Sequence, residues 1–183
     1  TAGEVRAVVE AAHRRGARVT AHSGNLAGAR EAIAGGVDSI EHGMELDAEA
    51  TATMAAAGIA LVSTLTVFRS WATFAHTTSL PRFTSDDGRA RLAERRERAE
   101  ESVRLAHRAG VAIATGTDSG GGSSRANQLA WEVEALVEVG LEPWEGLAAA
   151  TWRGGELLGE PEAGIVREGG PADFALVHGD PLS

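Results

Sequence analysis

The stretch GVAIATGTDSGG, residues 110–121, shows how this chain is organised. A helical pattern ends at Gly110, an apolar run follows, and the run stops at the carboxylate of Asp118 before glycine takes over. Glycine readily adopts the left-handed conformation that closes a helix. A short apolar run bounded by turn residues is typical of a buried strand. The stretch therefore predicts a helix, a strand and a carboxylate at the end of that strand.

The same order of helix, glycine and strand recurs upstream along the chain. Apolar residues at helical spacing predict helices over 2–15, 26–36, 47–58 and 86–110, the third with Asp47 as its N-cap. The strands predicted to follow them cover residues 17–22, 37–42, 59–65 and 111–118. Residues 66–85 are predicted to be a loop, and two more helices are expected near 127–139 and 144–158.

Alternation of strands and helices predicts the α/β class, with a parallel sheet covered by helices. In such folds the groups that bind ligands collect at the carboxyl ends of the strands. The last residues, AGIVREGGPADFALVHGDPL, depart from this pattern and predict two short β runs around residues 168–171. We therefore place a domain boundary near residue 160, between a main unit of residues 1–160 and a small β unit of residues 161–183.

Composition narrows the classes of function. A chain of 183 residues is the size of one domain, and no apolar run is long enough to span a membrane. The formal charge of -9 argues against nucleic acid, whose phosphates attract basic residues. Cysteine and lysine are both absent, which excludes thiolate metal sites and lysine chemistry in this chain. Because the chain begins at Thr1, we expect a preceding segment to have been removed, and no cellular location follows.

Three predicted strands end in side chains that bind metals. The first ends in His22, the second in His42 and the fourth in Asp118. Imidazole and carboxylate groups suit Zn²⁺ and similar divalent ions. A cation would also offset the desolvation of an acid at the end of a buried strand. The three side chains are therefore candidate metal ligands.

Each of these residues also has a simpler interpretation. A single histidine at a strand end is more often structural, and Asp118 before Ser119 can cap a turn. The stretch SGGGSS, residues 119–124, could instead bind phosphate through backbone N–H groups, which would suit a metal-free phosphate-binding barrel enzyme. Other residues are interpreted as surface or packing groups; these are His13, His107, His76, His178, the charged helix from Asp86, Trp131 and Trp144.

Six stretches together resemble the amidohydrolase superfamily of metal-dependent hydrolases, in its imidazolonepropionase-like and prolidase-like branch. They are VTAHSG, GVDSIEHG, IALVSTL, GVAIATGTDSG, EALVEVGLEPWEGLAAAT and GIVREGGPADFALVHGDPL. The resemblance implies a (β/α)8 TIM barrel joined to a small β-sandwich built from both ends of a chain. This sequence is similar to the C-terminal half only, because the family's His-x-His motif and carboxylated lysine do not occur in it.

Half a barrel has two open sheet edges and an uncovered interior, which favour aggregation. We therefore expect a partner, namely the missing N-terminal half of the barrel or, as a less favoured alternative, a second copy of the chain. On its own the chain could also be a catalytically inert structural half-barrel.

The resemblance also implies roles for particular residues. The reaction would be hydrolysis of an amide-like C–N bond, in a dipeptide or cyclic amide, by water activated by one or two Zn²⁺ or other divalent ions. His22 would bind metal, and Asp118 would be both ligand and proton shuttle. His42 would either bind metal or hydrogen-bond the substrate oxygen. Thr64, at the end of the third predicted strand, and Arg125, in the loop after Asp118, are candidate contacts for the small-molecule substrate.

Overall fold

The computed structural model describes residues 1–74, 76–120 and 124–182 of the chain. These residues form four short strands and nine helices, and at least one helix lies between successive strands. The strands are β1 (Thr20–His22), β2 (Ser39–Glu41), β3 (Ala60–Ser63) and β4 (Ile113–Thr115). The helices are α1 (Ala2–His13), α2 (Leu26–Gly35), α3 (Ala48–Ala57), α4 (Thr66–Phe74), α5 (Pro81–Thr84), α6 (Asp86–Ala109), α7 (Leu129–Glu138), α8 (Pro143–Ala149) and α9 (Trp152–Leu158).

The strands form one parallel sheet in the order β1-β2-β3-β4. Thr20 pairs with Ser39, Ser39 with Ala60, and Leu61 with Ile113, so all four strands run in register toward the same edge. The predicted α/β class with a parallel sheet is confirmed. Neighbouring parallel strands need a long crossover connection, and the helices between successive strands supply it.

The core lies between this sheet and the helices that cover it. Its fully buried side chains include Ile40, Met54, Leu61, Val103 and Leu136, which come from two strands and three helices. Helix α6 is also fixed by a polar contact, because the buried Ser102 hydroxyl accepts a hydrogen bond from Leu46 N at 2.8 Å. The segment that follows β2 is therefore anchored to the covering layer.

Local signals in the sequence explain where several helices begin and end. The carboxylate of Asp47 accepts a hydrogen bond from Ala50 N at 2.8 Å, which confirms it as the N-cap of α3. Helix α6 ends at Ala109, and Gly110 has a φ of 79°, the left-handed value expected of a closing glycine. The charges of α6 pair along its own surface, for example Arg96 with Glu100, as predicted for a solvated helix.

The prediction of a loop over residues 66–85 was wrong. Residues 66–74 and 81–84 form α4 and α5. Val67, Phe68 and Trp71 recur at helical spacing, and the first two are buried at 3% and 5% exposure. Because polar residues surround them in the sequence, this short apolar stripe is not evident as a helical pattern.

The prediction of two β runs in the tail is not borne out by the described part of that segment. Residues 161–182 contain no strand, and their apolar side chains are exposed, including Val166, Phe174 and Leu176. A strand needs a neighbour to satisfy its backbone groups, and none lies beside this segment among the described residues. Helix α9 ends at Leu158, and the domain boundary near residue 160 stays a prediction.

Most side chains interpreted as surface or packing groups follow those interpretations, but the partly buried His107 and the exposed Trp144 do not. His13 is half-exposed and lies 2.9 Å from Asp38, and His107 lies 3.1 Å from Glu145. Trp144, expected to pack, is instead 55% exposed. Its ring has the guanidinium of Arg153 at 5.9 Å from the centroid, a contact that a surface tryptophan can make without burial. Within the described ranges, no helix combines the length and apolarity needed to cross a bilayer.

Candidate active site

The carboxyl edge of the sheet gathers the predicted site residues in strand order. His22 is the last residue of β1, His42 directly follows β2, and Thr64 directly follows β3. Asp118 comes three residues after β4 ends at Thr115. Because the strands are parallel and in register, these positions lie along one edge, where α/β proteins place their ligand sites.

His42 is the centre of this edge. Its ring meets the ring of His22 edge to face, with centroids 4.7 Å apart and planes 75° apart. On its other side, His42 Nδ1 lies 2.7 Å from the Thr64 hydroxyl oxygen. The structure therefore brings three of the predicted residues into one contact chain across three strands.

The backbone at His42 explains how the ring is directed. His42 has a φ of 66° and Gly43 a φ of 55°, so two successive residues take the left-handed conformation. For a non-glycine residue this conformation is uncommon and marks a sharp change in chain direction. His42 N nevertheless donates to Val62 O at 3.0 Å, which holds the turn against β3. The turn is thus tied to the sheet at the point where the ring leaves it.

The surroundings of His42 favour its neutral form. Burial lowers the pKa of the His42 imidazole, and the neighbouring His22 lowers the pKa further. The carboxylates of Asp118 and Glu41 act in the opposite direction without reversing the shift. A neutral imidazole has a free ring nitrogen, which is the form that binds a metal ion or accepts a hydrogen bond.

Asp118 is near this pair but not joined to it. It is exposed, it has a φ of 46°, and its charge acts on the pKa of His42. Across the described residues, no group of three or more His, Cys, Asp or Glu side chains is arranged to hold a metal ion. The donor types, two imidazoles and a carboxylate, fit a divalent ion, but these residues do not form a closed ligand set.

Arg125 lies beside helix α4. Its backbone N donates to Ser70 Oγ at 3.1 Å, and its Nε donates to Thr73 Oγ1 at 3.2 Å. The guanidinium also lies 5.5 Å from the centre of the Phe74 ring. These contacts hold Arg125 against α4, and the predicted substrate contact stays a prediction.

The glycine loop that could bind phosphate is only partly described, since residues 121–123 lie outside the described ranges. Of its described residues, Gly120 N donates to Ser124 O at 3.2 Å, which uses one of the backbone N–H groups.

Glu132 is an acidic residue near this edge that the sequence analysis did not identify. It is completely buried on α7, where the Ser63 hydroxyl donates to Oε1 at 2.5 Å and Thr66 N donates to Oε2 at 2.6 Å. Burial raises the pKa of the Glu132 carboxyl, against the opposing effect of these hydrogen bonds. The sequence does contain a signal that Glu132 is buried. It lies at helical spacing with Ala135, Leu136 and Val139, on the apolar face of α7.

A cavity of about 720 Å³ lies at the amino ends of the strands, opposite the edge that carries His22 and His42. Its lining includes Arg18, Asp38 and Ala112, which precede β1, β2 and β4, together with residues of α9. His22, His42 and Asp118 do not line it. Parallel α/β folds place catalytic groups at the carboxyl ends, so size alone does not make this cavity the candidate site.

Comparison with known proteins identifies the family. The sequence profile described as the Amidohydrolase family matches residues 1–183. The chain belongs to the amidohydrolase family. Ochratoxinase from Aspergillus niger is 32% identical over 188 residues, covering 98% of this chain and 36% of that protein. An uncharacterized protein of Mycobacterium tuberculosis is 34% identical over 158 residues, covering 86% of this chain and 41% of that one.

Solved structures agree with this amidohydrolase assignment. A crystal structure of a Xaa-Pro dipeptidase with methionine bound in its active site matches with a TM-score of 0.83 at 31% identity, covering 100% of this chain and 44% of that one. The crystal structure of A. niger ochratoxinase matches with a TM-score of 0.81 at 30% identity, covering 100% and 40%. The chain thus spans less than half of these relatives and corresponds to the C-terminal part of the larger fold. The predicted amidohydrolase family and the predicted similarity to prolidase-like proteins are confirmed.

Proposed function

We propose that this chain is the C-terminal part of a metal-dependent amidohydrolase that cleaves an amide-like C–N bond in a dipeptide or cyclic amide. The observation that carries the proposal is the position of His42, held between His22 and Thr64 at the carboxyl edge of a parallel sheet. Membership of the amidohydrolase family and likeness to a Xaa-Pro dipeptidase and an ochratoxinase support the reaction class.

The remainder of a longer protein would complete the fold. Strands β1 and β4 are the edges of the sheet, and neither has a second strand partner among the described residues. A (β/α)8 barrel would pair both edges with strands from an N-terminal half. Exposed apolar side chains in the tail, such as Phe174 at 76% exposure, would be covered by a small β-sandwich shared with that half.

His22, His42 and Asp118 would hold the metal, with further ligands from the N-terminal half. When bound, a divalent ion such as Zn²⁺ supplies Lewis acidity, which polarises a carbonyl group and makes water more acidic. One or two such ions are compatible with the proposal. His42 is then either a ligand or the donor of a hydrogen bond to the substrate oxygen.

The proton transfers are assigned to Asp118. Its carboxylate is exposed at the carboxyl edge and its charge reaches His42, so it can contact both water and substrate. Asp118 would accept a proton from the attacking water and deliver it to the leaving nitrogen, which turns an amide nitrogen into a better leaving group. Thr64 would act through His42, to which its hydroxyl is already bonded.

The test uses the full-length protein. Metal content would be measured before and after chelation, and hydrolysis would be assayed on Xaa-Pro dipeptides, N-acyl amino acids and lactams. We expect bound zinc or a similar ion, loss of turnover on chelation, and recovery when metal is returned. Asp118→Asn, which removes the proposed proton-transfer group, should lower turnover. Its matched control, Asp87→Asn, replaces an exposed acid in the first turn of α6 and should leave turnover unchanged. Full turnover in metal-free protein would refute the proposal.

A further inference from the structure

The buried carboxylate of Glu132 contacts a segment that carries a site residue. Ser63, whose hydroxyl donates to Oε1, immediately precedes Thr64, and Thr66, whose backbone N donates to Oε2, follows it by two residues. Glu132 therefore binds the chain on both sides of Thr64. Thr64 is the residue whose hydroxyl lies 2.7 Å from His42 Nδ1.

The rest of α7 strengthens the same connection. The Thr66 hydroxyl donates to Gln128 O at 3.4 Å, and Arg69 forms ion pairs with Glu134 at 2.7 Å and with Glu138 at 2.5 Å. The exit of β3 and the start of α4 are thus joined to α7 by several polar contacts. Of these α7 groups, Glu132 contacts both Ser63, before Thr64, and Thr66, after it.

Placing a carboxylate at the buried position of Glu132 is energetically unfavourable. Burying an ionisable group without water is unfavourable unless donors surround it, and an apolar side chain of similar volume would pack at lower cost. What an apolar side chain could not provide is two acceptor oxygens at fixed positions. Those oxygens bond the Ser63 hydroxyl and the first backbone N–H of α4, which otherwise has no partner within its helix.

We propose that Glu132 is a positioning residue for His42, because it fixes the Ser63–Thr66 segment and with it the Thr64 hydroxyl against His42 Nδ1. With Nδ1 engaged by Thr64, Nε2 is the ring nitrogen left to act in the site. The inference deepens the proposed function and rests on it for its catalytic consequence. The structural part of the inference, that Glu132 controls the orientation of the His42 ring, does not depend on the proposed function.

The experiment uses the full-length protein and a double-mutant cycle. Glu132→Met removes both acceptors at similar volume, Thr64→Val removes the hydroxyl at similar shape, and the double variant carries both changes. Outer partners of site residues contribute about 10-fold to 100-fold, so each single change should lower kcat by that factor. The double variant should lose no more than the worse single variant, because both act through one contact.

Two further variants separate positioning from general stabilisation. Glu132→Gln keeps one oxygen for Thr66 N and can donate an N–H to Ser63 Oγ, so it should restore kcat to within about twofold of wild type. Glu97→Gln replaces an exposed acid on α6, outside the contacts that join α7 to the exit of β3, and should not change kcat. If Glu132→Met does not fold, Ser63→Ala removes one of the two contacts and replaces it in the cycle.

A second readout does not depend on activity. Nitrogen NMR of the His42 ring in metal-free protein reports which nitrogen carries the proton, and Glu132→Met should change that signal in the same direction as Thr64→Val. Multiplicative losses in kcat, or a His42 signal that responds to Thr64→Val but not to Glu132→Met, would overturn the proposal. If the wild-type protein neither binds metal nor hydrolyses any substrate, the proposed function fails, and the NMR comparison still decides the role of Glu132.

Discussion

Replacing Gly43 by alanine is expected to damage both stability and the site. Gly43 directly follows His42 and has a φ of 55°, in the left-handed region that disfavours a side chain. A Cβ at this position would lie 2.5 Å from Leu61 Cδ1 and 3.0 Å from Leu46 Cδ1. Leu61 is fully buried and Leu46 is 4% exposed, so neither has open space to move into.

The magnitude follows from two separate costs. Holding a non-glycine residue in an unfavourable backbone conformation costs about 1–3 kcal/mol. Forcing an extra methyl group into a filled core costs about 1–3 kcal/mol more. The free energy of unfolding should therefore fall by about 2–6 kcal/mol in Gly43→Ala. The collision is relieved either by moving Leu61 or by moving the turn that directs the His42 ring, and the second route also lowers turnover.

Gly36→Ala is the matched control. Gly36 closes α2 with a φ of 83°, and a Cβ there would meet nothing within 4 Å. The control therefore has the backbone cost without the collision, and it lies at the opposite end of β2 from His42. Thermal unfolding followed by circular dichroism, with turnover measured on the same full-length preparations, compares the two variants. Equal losses of stability, with turnover unaffected in both, would show that the collision with Leu61 does not matter.

Three further predictions concern single groups. Asp118→Asn should reduce turnover by about 10²-fold to 10⁴-fold with an unchanged melting curve, because an amide cannot transfer the proton; retained turnover would refute the assignment. Ser102→Ala should lower the free energy of unfolding by about 1–3 kcal/mol, since the buried Leu46 N–H loses its acceptor, and urea titration measures this. Burial raises the pKa of the Glu132 carboxyl, so at pH values between its unfolded and folded pKa the folded state keeps a proton that the unfolded chain releases. The stability of wild type relative to Glu132→Gln should therefore be greatest below about pH 4.5 and fall as pH rises toward the folded pKa.

The sheet and its order of elements could be predicted because the signals are local. An apolar run after a glycine, as at residues 111–115, needs no distant partner to be recognised as a strand. Asp47 as an N-cap and Gly110 as a closing residue are equally local, and both predictions are confirmed. The positions of His22 and His42 follow from the same reasoning, since strands in register bring their ends to one edge.

The rest depended on contacts between residues far apart in the sequence. Glu132 is 69 residues from Ser63, and an acid on an apolar helix face reveals its function only once its donors are known. Similarly, the sequence places Asp118 at the end of a strand but does not determine how far the chain continues before the side chain faces the site. The structure puts it three residues beyond β4, exposed, where its charge reaches His42 without a direct bond.

The tail shows why a β pattern is less decisive than a helical one. A helix satisfies its backbone groups within itself, whereas a strand depends on a neighbour for every hydrogen bond. Residues 163–182 carry the alternation and turn residues of a β unit, yet Val166 and Leu176 are 88% and 96% exposed and no strand forms among the described residues there. The sequence pattern therefore indicates that these residues can pair as a strand. Whether they do so depends on a neighbouring segment that can form the hydrogen bonds.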